Sequence, residues 1–125
     1  MFDHLSVGVR DLARARVFYD AFLAPLGHAY AHANDAELAY GPGGRAAQFY
    51  LYPVAGERVA GLGTHIAFSA DSRAAVDAAY AAGLASGATG VRPAGLHPDI
   101  AAGYYGAILY DPDGNKLEIV AGTMH

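Results

Sequence analysis

Two stretches of the chain, residues 2–9 and residues 64–70, alternate apolar residues with small or polar ones. Side chains of a strand point alternately to its two faces, so this alternation predicts two strands, each with one buried face. The polar side of each strand carries a histidine near its start, His4 in the first strand and His65 in the second. The two stretches therefore resemble two copies of one structural unit.

A stretch with helical periodicity follows each of these strands. Residues 12–26 carry apolar side chains at the spacing of one helix face, and Asp11 before them is a candidate N-cap. Asp71 and Ser72 are candidate N-caps for a second helix over residues 73–86. Each half of the chain is therefore predicted to begin with a strand and then a helix.

Shorter strand patterns, separated by turn-forming residues, fill the rest of both halves. Asn34-Asp35 and Gly41-Pro42-Gly43-Gly44 supply turns in the first half, and Asp111-Pro112-Asp113-Gly114 supplies one in the second. The strand near residues 89–92 has the weakest pattern. In chain order, these strands are predicted around residues 28–33, 37–40, 46–52, 89–92, 103–111 and 116–121.

The two halves can be aligned with each other directly. An offset of 61 positions gives six identities in 21 positions, including His4 with His65. Toward the ends of the halves, an offset of 70 positions aligns the two proline-containing turns and places Gln48 on Glu118. Duplication of a βαβββ unit predicts an α+β fold that consists of two modules, about residues 1–55 and 62–125, within one domain.

Length, charge and composition exclude several classes of protein. With 125 residues one domain is expected, and the absence of cysteine excludes a disulfide scaffold, a thiolate nucleophile and a cysteine zinc site. The net charge is −4 and the basic residues are scattered, which argues against a nucleic-acid or anionic-membrane partner. No apolar run approaches the ~20 residues of a membrane span, and no signal peptide is visible, so we expect a cytoplasmic protein.

Four polar residues lie out of phase with the large apolar residues of their strands: His4, Gln48, His65 and Glu118. The apolar residues can pack under the helices, which leaves these four side chains on the other face. If the two modules bring these faces together, two imidazoles and one carboxylate converge. This donor set suits a divalent transition metal ion such as Fe, Mn, Ni, Co or Zn, with vacant positions for water or a substrate.

The role of the last strand of the first half stays open at this point. Gln48 could supply a carbonyl oxygen as a fourth metal ligand. Tyr50, two residues further along, shares the same face and competes for that role. Either side chain could equally line the site without contacting the metal.

Aromatic residues near these donors predict a pocket for a small organic substrate. Tyr104 and Tyr105 precede the last hairpin, and one of them must face each side of its strand. His97 lies in a predicted loop and is a candidate acid or base, and Tyr105 is a second candidate catalytic residue. The predicted pocket residues are Phe49, Tyr50, Tyr52 and Tyr104.

Three segments carry a resemblance to a known family: DHLSVGVRDLARARVFYDAFLAPLG, THIAFSADSRAAVDAAYAAGLASG and YYGAILYDPDGNKLEIV. They are similar to the vicinal oxygen chelate superfamily, which contains glyoxalase I, extradiol dioxygenases, fosfomycin-resistance thiol transferases and bleomycin-binding proteins, and especially to its small bacterial glyoxalase-like members. The resemblance implies two βαβββ modules that form a paired half-barrel, with His4, His65 and Glu118 at metal-ligand positions. It also implies a homodimer, because the cavity of such proteins is often completed between two subunits.

In one respect the chain departs from that family. Similar glyoxalase I enzymes have a glutamate on the strand where Gln48 or Tyr50 stands, and neither replacement is a carboxylate base at neutral pH. We therefore expect a divalent-metal-dependent enzyme of lyase, isomerase or dioxygenase type that acts on a small oxygen-bearing substrate, but not an ordinary lactoylglutathione lyase. The alternative is a metal-free protein of the same fold that sequesters a small molecule such as a drug.

Overall fold

Two sheets of four strands, each accompanied by one helix, make up the fold. A computed structural model describes residues 3–34, 36–57, 60, 61 and 63–122. Phe2, Asp35 and His125 lie outside the described residues, so the predictions that include them are not tested at those positions. The elements are β1 (Leu5–Val9), α1 (Leu12–Leu23), β2 (His28–Asn34), β3 (Glu37–Pro42), β4 (Phe49–Pro53), β5 (His65–Ala70), α2 (Arg73–Ala85), β6 (Thr89–Leu96), β7 (Tyr105–Tyr110) and β8 (Lys116–Ala121).

The two sheets have the same topology. Their strand orders are β1-β4-β3-β2 and β5-β8-β7-β6, and in each sheet the first strand runs parallel to the last while the other neighbours are antiparallel. We call β1 to β4 with α1 the first module, and β5 to β8 with α2 the second module. The predicted duplication of a βαβββ unit and the α+β fold class are confirmed.

Side-chain caps start both helices where the sequence places them. Asp11 accepts a hydrogen bond from the backbone N–H of Arg14 (3.0 Å), and Ser72 accepts one from Ala75 (3.1 Å). Helix α1 ends at Leu23 and continues as one 3-10 turn, so the predicted helix was too long by that turn. Within the described residues, neither helix has the length and hydropathy needed to cross a bilayer.

Two strands differ from their predictions for local backbone reasons. Strand β4 begins at Phe49, later than predicted, because Ala46 has a φ of 43° in the left-handed region and cannot belong to extended backbone. The backbone there turns tightly against Gly41, where a Cβ would overlap the carbonyl oxygen of Arg45. Strand β6 is longer than predicted, because it continues through Pro93. A proline is tolerated there because β6 lies at the edge of its sheet, and its register with β7 has two irregularities.

The helix-covered sides of both sheets face one shared hydrophobic core. The ring of Phe68 from the second module lies 5.4 Å from that of Phe49 and 5.9 Å from that of Phe22 in the first, and α1 packs against α2. The other side of each sheet, which we call its open face, therefore points away from this core.

A buried polar turn, residues 111–115, connects the second module to the first by hydrogen bonds. Asp113 accepts hydrogen bonds from the backbone N–H of Arg10 (3.0 Å) and from the guanidinium of Arg14 (2.8 Å). Asp111 accepts one from the hydroxyl of Tyr19 (2.7 Å), and the side-chain amide of Asn115 donates to a carbonyl oxygen of β1 (2.9 Å). The acidic turn predicted between β7 and β8 therefore also fixes how the modules pack.

Candidate functional site

His65 and Glu118 stand together on the open face of the second module. His65 begins β5, and Glu118 lies on β8 directly opposite Ala67, two residues further along β5. Their facing atoms, His65 Nε2 and Glu118 Oε2, are 3.6 Å apart. The carboxylate side chain is only 9% exposed, whereas the imidazole is about half exposed. This gives a nearly buried anion beside an accessible nitrogen.

The hydrogen bond on the far side of the His65 ring determines which nitrogen carries the proton. Nδ1 lies 3.0 Å from the carbonyl oxygen of Gly63, which can only accept, so Nδ1 donates. The electron pair of the neutral ring is then on Nε2, facing the carboxylate. Metal-binding histidines are oriented in this way by a carbonyl or carboxylate behind the ring. Two electron-rich atoms so placed fit a shared cation.

Tyr104 holds the second oxygen of the same carboxylate. Its hydroxyl donates to Glu118 Oε1 at 2.7 Å, and the phenol is almost completely buried. Burial raises the pKa of Tyr104, and the adjacent carboxylate raises this pKa further. The phenol lies over Gly106, where a Cβ would overlap its hydroxyl. Glycine at this position therefore lets Tyr104 reach Glu118, and Oε2 is the oxygen that faces His65.

On the open face of the first module, His4 is oriented in the same manner. Its Nδ1 lies 2.6 Å from the carboxylate of Asp3, an acceptor, so Nδ1 donates and the electron pair is on Nε2. The ring centroid of His4 is 5.4 Å from that of Tyr50. Each strand-start histidine thus has a hydrogen-bond acceptor behind it and a β4 or β8 side chain beside it.

The strand register shows which residue of the first module corresponds to Glu118. Ser6 of β1 lies opposite Tyr50, and its equivalent in the second module, Ala67, lies opposite Glu118. Tyr50 is therefore the structural counterpart of Glu118, and the sequence alignment that placed Gln48 there was wrong by two residues. Gln48 precedes β4 and lines a cleft of about 230 Å³ between the modules.

The two open faces do not bring all of these donors together within one chain. Each open face points away from the shared core, and His4 stands on one of them while His65 and Glu118 stand on the other. Among the described residues, no group of three or more His, Asp or Glu side chains could hold a metal ion. Within one chain, the pair formed by His65 and Glu118 and the ring of His4 therefore remain two separate sets of donors.

Of the aromatic residues predicted for the pocket, Tyr50 and Tyr52 share the open face of the first module, with stacked rings 6.4 Å apart. Phe49 points the other way, into the core, where its ring lies 5.3 Å from that of Tyr19. It alternates with Tyr50 along the strand, so only one of the two can face the open side. The structure therefore does not place Phe49 among the residues of the open face.

The structure places the two candidate catalytic residues, Tyr105 and His97, in different surroundings. Tyr105 lies on the helix side of β7, where its hydroxyl donates to Asp77 of α2 (2.6 Å), and so it is not brought near Glu118. His97 is placed beside Tyr104, with ring centroids 6.0 Å apart. Its Nε2 donates to the carbonyl of Pro93 (2.7 Å), which leaves Nδ1 as the atom able to accept a proton.

Two further polar groups on the open faces were not predicted. His32 and Glu37 of the first module lie 3.1 Å apart, and hydrogen bonds from Tyr52 and then from His32 lower the pKa of Glu37. On the second module, Arg92 is paired with Asp99. The pairing of β6 with β7 places Arg92 on the same face as Glu118, but the weak strand pattern before Pro93 gave no reliable register from which to infer it.

Comparison with known proteins agrees with the duplicated fold. The family model of the Glyoxalase/Bleomycin resistance protein/Dioxygenase superfamily matches residues 1–119. A crystal structure of a glyoxalase/bleomycin resistance protein from Albidiferax ferrireducens T118 is 36% identical, covers 97% of this chain and 98% of its own, and superimposes with a TM-score of 0.83. No curated protein matches the chain.

More distant structures share the fold alone. A glyoxalase/bleomycin resistance protein/dioxygenase family enzyme from Burkholderia phytofirmans PsJN is 18% identical, with a TM-score of 0.72 and coverage of 97% and 98% of the two chains. The fosfomycin resistance protein FosX from Listeria monocytogenes is 21% identical, with a TM-score of 0.70 and coverage of 97% and 92%. With the family match over nearly its whole length, the chain belongs to the Glyoxalase/Bleomycin resistance protein/Dioxygenase superfamily.

Proposed function

We propose that this protein is a divalent-metal-dependent enzyme of lyase, isomerase or dioxygenase type that acts on a small oxygen-bearing substrate. The observation that carries the proposal is the pair formed by His65 Nε2 and Glu118 Oε2, 3.6 Å apart. The hydrogen bond from Nδ1 to Gly63 directs the electron pair of the ring toward the carboxylate. Fe, Mn, Ni, Co and Zn are the ions that such a nitrogen and oxygen donor set suits.

A third protein ligand would come from a second copy of the chain. His4 is oriented like His65 but stands on the open face of the other module, and in this proposal it completes the site in another protomer. Strands β1 and β5 each form an edge of their sheet, which leaves those edges available for a two-fold partner. The proposed assembly is a homodimer in which His4 of one protomer joins His65 and Glu118 of its partner.

The chain's own residues have defined tasks in this proposal. A divalent ion held by His65 and Glu118 would polarise two adjacent substrate oxygens and stabilise the charge that develops on them. Tyr104 keeps Glu118 oriented by holding Oε1, so that Oε2 remains directed at His65. In this proposal Nδ1 of His97, beside the Tyr104 ring, would accept a proton from the substrate.

The test replaces Glu118 with glutamine, which preserves shape and removes the negative charge. We expect the affinity for Ni²⁺, Co²⁺ or Mn²⁺, measured by calorimetry, to fall by more than about a hundredfold in Glu118→Gln, since even indirect partners of metal ligands contribute 10–100-fold. The parent protein should also lose affinity as the pH falls through the histidine range, because protonated imidazole cannot bind metal.

The matched control is Glu57→Gln, at an exposed glutamate between the modules, which should bind these ions like the parent. Equal affinity in Glu118→Gln and the parent, or no metal binding by either protein, would contradict the site.

The dimer has its own test. Light scattering at micromolar concentration should give about twice the chain mass of 12.9 kDa. In the dimer, open faces of the two protomers would cover each other, which would remove apolar and tyrosine surface from water. A mass equal to one chain at these concentrations would contradict the shared site.

A second function, metal-free binding of a planar molecule such as a drug, is favoured by one observation. Tyr50 and Tyr52 stack on the open face of the first module and present aromatic surface to solvent. This alternative predicts that protein treated with a chelator binds a planar aromatic ligand as tightly as untreated protein. It also predicts that Glu118→Gln leaves that binding unchanged, which separates it from the metal-dependent function.

A further inference from the structure

Arg92 lies in the same cross-strand row as Glu118 on the open face of the second module. Ile108 of β7 pairs with Glu118 on one side and with Arg92 on the other, so the three side chains share one face. Neighbouring strands are about 4.8 Å apart, which separates the backbones of Glu118 and Arg92 by about 10 Å. The row therefore places a cation two strands away from the proposed metal ligands.

The guanidinium of Arg92 already holds a carboxylate in the geometry that a ligand would need. Nη1 and Nη2 donate to the two oxygens of Asp99 at 3.2 and 2.8 Å, a two-pronged contact. Both partners are solvent-accessible, with the Asp99 side chain 61% exposed in the loop after β6. Exposed ion pairs contribute little to stability, so another carboxylate can replace Asp99 at small cost.

We infer that Arg92 is a subsite for a carboxylate on the substrate, with Asp99 occupying it in the free protein. The inference rests on the proposed function, because it assumes that two adjacent oxygens of the same substrate lie near His65 and Glu118. It narrows the substrate class to a small molecule with two vicinal oxygens at one end and a carboxylate at the other. His97 directly follows β6 and Tyr104 directly precedes β7, with their ring centroids 6.0 Å apart.

The experiment uses two ligands that differ only in charge. 3,4-Dihydroxybenzoate carries vicinal hydroxyls and a carboxylate, and 3,4-dihydroxybenzamide carries the same hydroxyls and a neutral amide. Their affinities for the Co²⁺-loaded protein are measured by calorimetry under anaerobic conditions. We expect the parent to bind the benzoate about tenfold or more tightly than the benzamide, the effect of a charge-assisted two-pronged contact.

Three variants locate that preference. Arg92→Gln should abolish the preference for the benzoate, because it weakens the binding of the benzoate and not that of the benzamide. Asp99→Asn should increase the preference, because it removes the competing carboxylate. Arg45→Gln, an exposed arginine of the first module, should leave the preference unchanged. Thermal unfolding of each variant verifies that the fold is retained.

The outcomes separate the two claims. If the parent binds both ligands equally, or if Arg92→Gln keeps the preference, the carboxylate subsite is wrong and the metal site stands. If neither ligand binds the Co²⁺-loaded parent, or if Co²⁺ itself does not bind, the proposed function fails and this subsite falls with it.

Discussion

The two modules share a topology but carry different polar residues at equivalent positions. Beside the strand-start histidine, the first module has the phenol of Tyr50 and the second has the carboxylate of Glu118. The turns before the last strands differ in the same way. Residues 41–44 are glycine-rich, whereas residues 111–114 include two buried carboxylates. At both positions the acidic residue is found in the second module only.

This difference separates what duplication provides from what single side chains add. The repeated backbone creates two equivalent places for a side chain beside a strand-start histidine. A neutral phenol is a weaker metal ligand and a weaker base than a carboxylate. The first module therefore offers a histidine and aromatic surface, while the second offers the anion and the polar turn that joins the modules.

The largest effect is expected on the free energy of unfolding, from a substitution in the buried polar turn between β7 and β8. Asp111 is 3% exposed and accepts four hydrogen bonds, among them one from the buried hydroxyl of Tyr19. Asp111→Ala leaves these donors without their acceptor, so the free energy of unfolding should fall by about 3 kcal/mol or more. Urea denaturation measures the loss.

The matched control lies beside the corresponding turn of the first module. Arg45→Ala removes an exposed side chain there and should change the free energy of unfolding by less than about 0.5 kcal/mol. Similar losses in Asp111→Ala and Arg45→Ala would show that the two turns contribute alike, against the comparison drawn above.

The next effect tests whether the first module lacks only a carboxylate. We expect the metal-loaded parent to isomerise the methylglyoxal–glutathione adduct near the background rate. Tyr50→Glu should raise that rate by up to about 10²–10⁴-fold, the contribution of a positioned general base. Stopped assays of lactoylglutathione formation measure the change.

Gln48→Glu is the informative counterpart, because the sequence alignment favours position 48 and the strand register favours position 50. We expect little gain from Gln48→Glu. A larger gain there than in Tyr50→Glu would show that the register-based equivalence does not describe the working site. High activity of the parent would assign the base role to His97 or to Glu118.

Alternation along the strands predicted both histidines, Glu118 and the sides on which they lie, since a half-buried strand sorts its residues by polarity. Tyr105 was harder to place, because a tyrosine suits either side of a strand and only its hydrogen bond to Asp77 distinguishes them. The equivalence of Tyr50 with Glu118 depends on strand pairing, and aligning the two turns by their prolines misses it by two residues. Arg92 lies on a strand whose irregular register no local pattern reveals.

The smallest effect is expected on the pH dependence of stability, and it concerns the residues that begin β2 and β6. His28 begins β2 and lines the cleft between the modules, whereas its counterpart at the start of β6 is Thr89. Burial lowers the pKa of His28 from 6.5, and nearby Asp71 opposes this only in part. The folded protein therefore disfavours the protonated ring, while the unfolded chain protonates near its usual pKa.

Because the pKa is lower in the folded state, the contribution of His28 to stability is present above about pH 6.5 and is lost as the pH falls through the folded-state pKa. His28→Thr, which copies the residue of the second module, removes this contribution. The free energy of unfolding, measured in urea between about pH 7.5 and 5, should therefore fall less steeply in the variant than in the parent. The two proteins differ at this position alone, so the difference between the two slopes reports on His28. If the unfolding free energy has the same pH dependence in the parent and in His28→Thr, His28 is as exposed to water in the cleft as Thr89 is at the start of β6. The two modules then do not differ at this position.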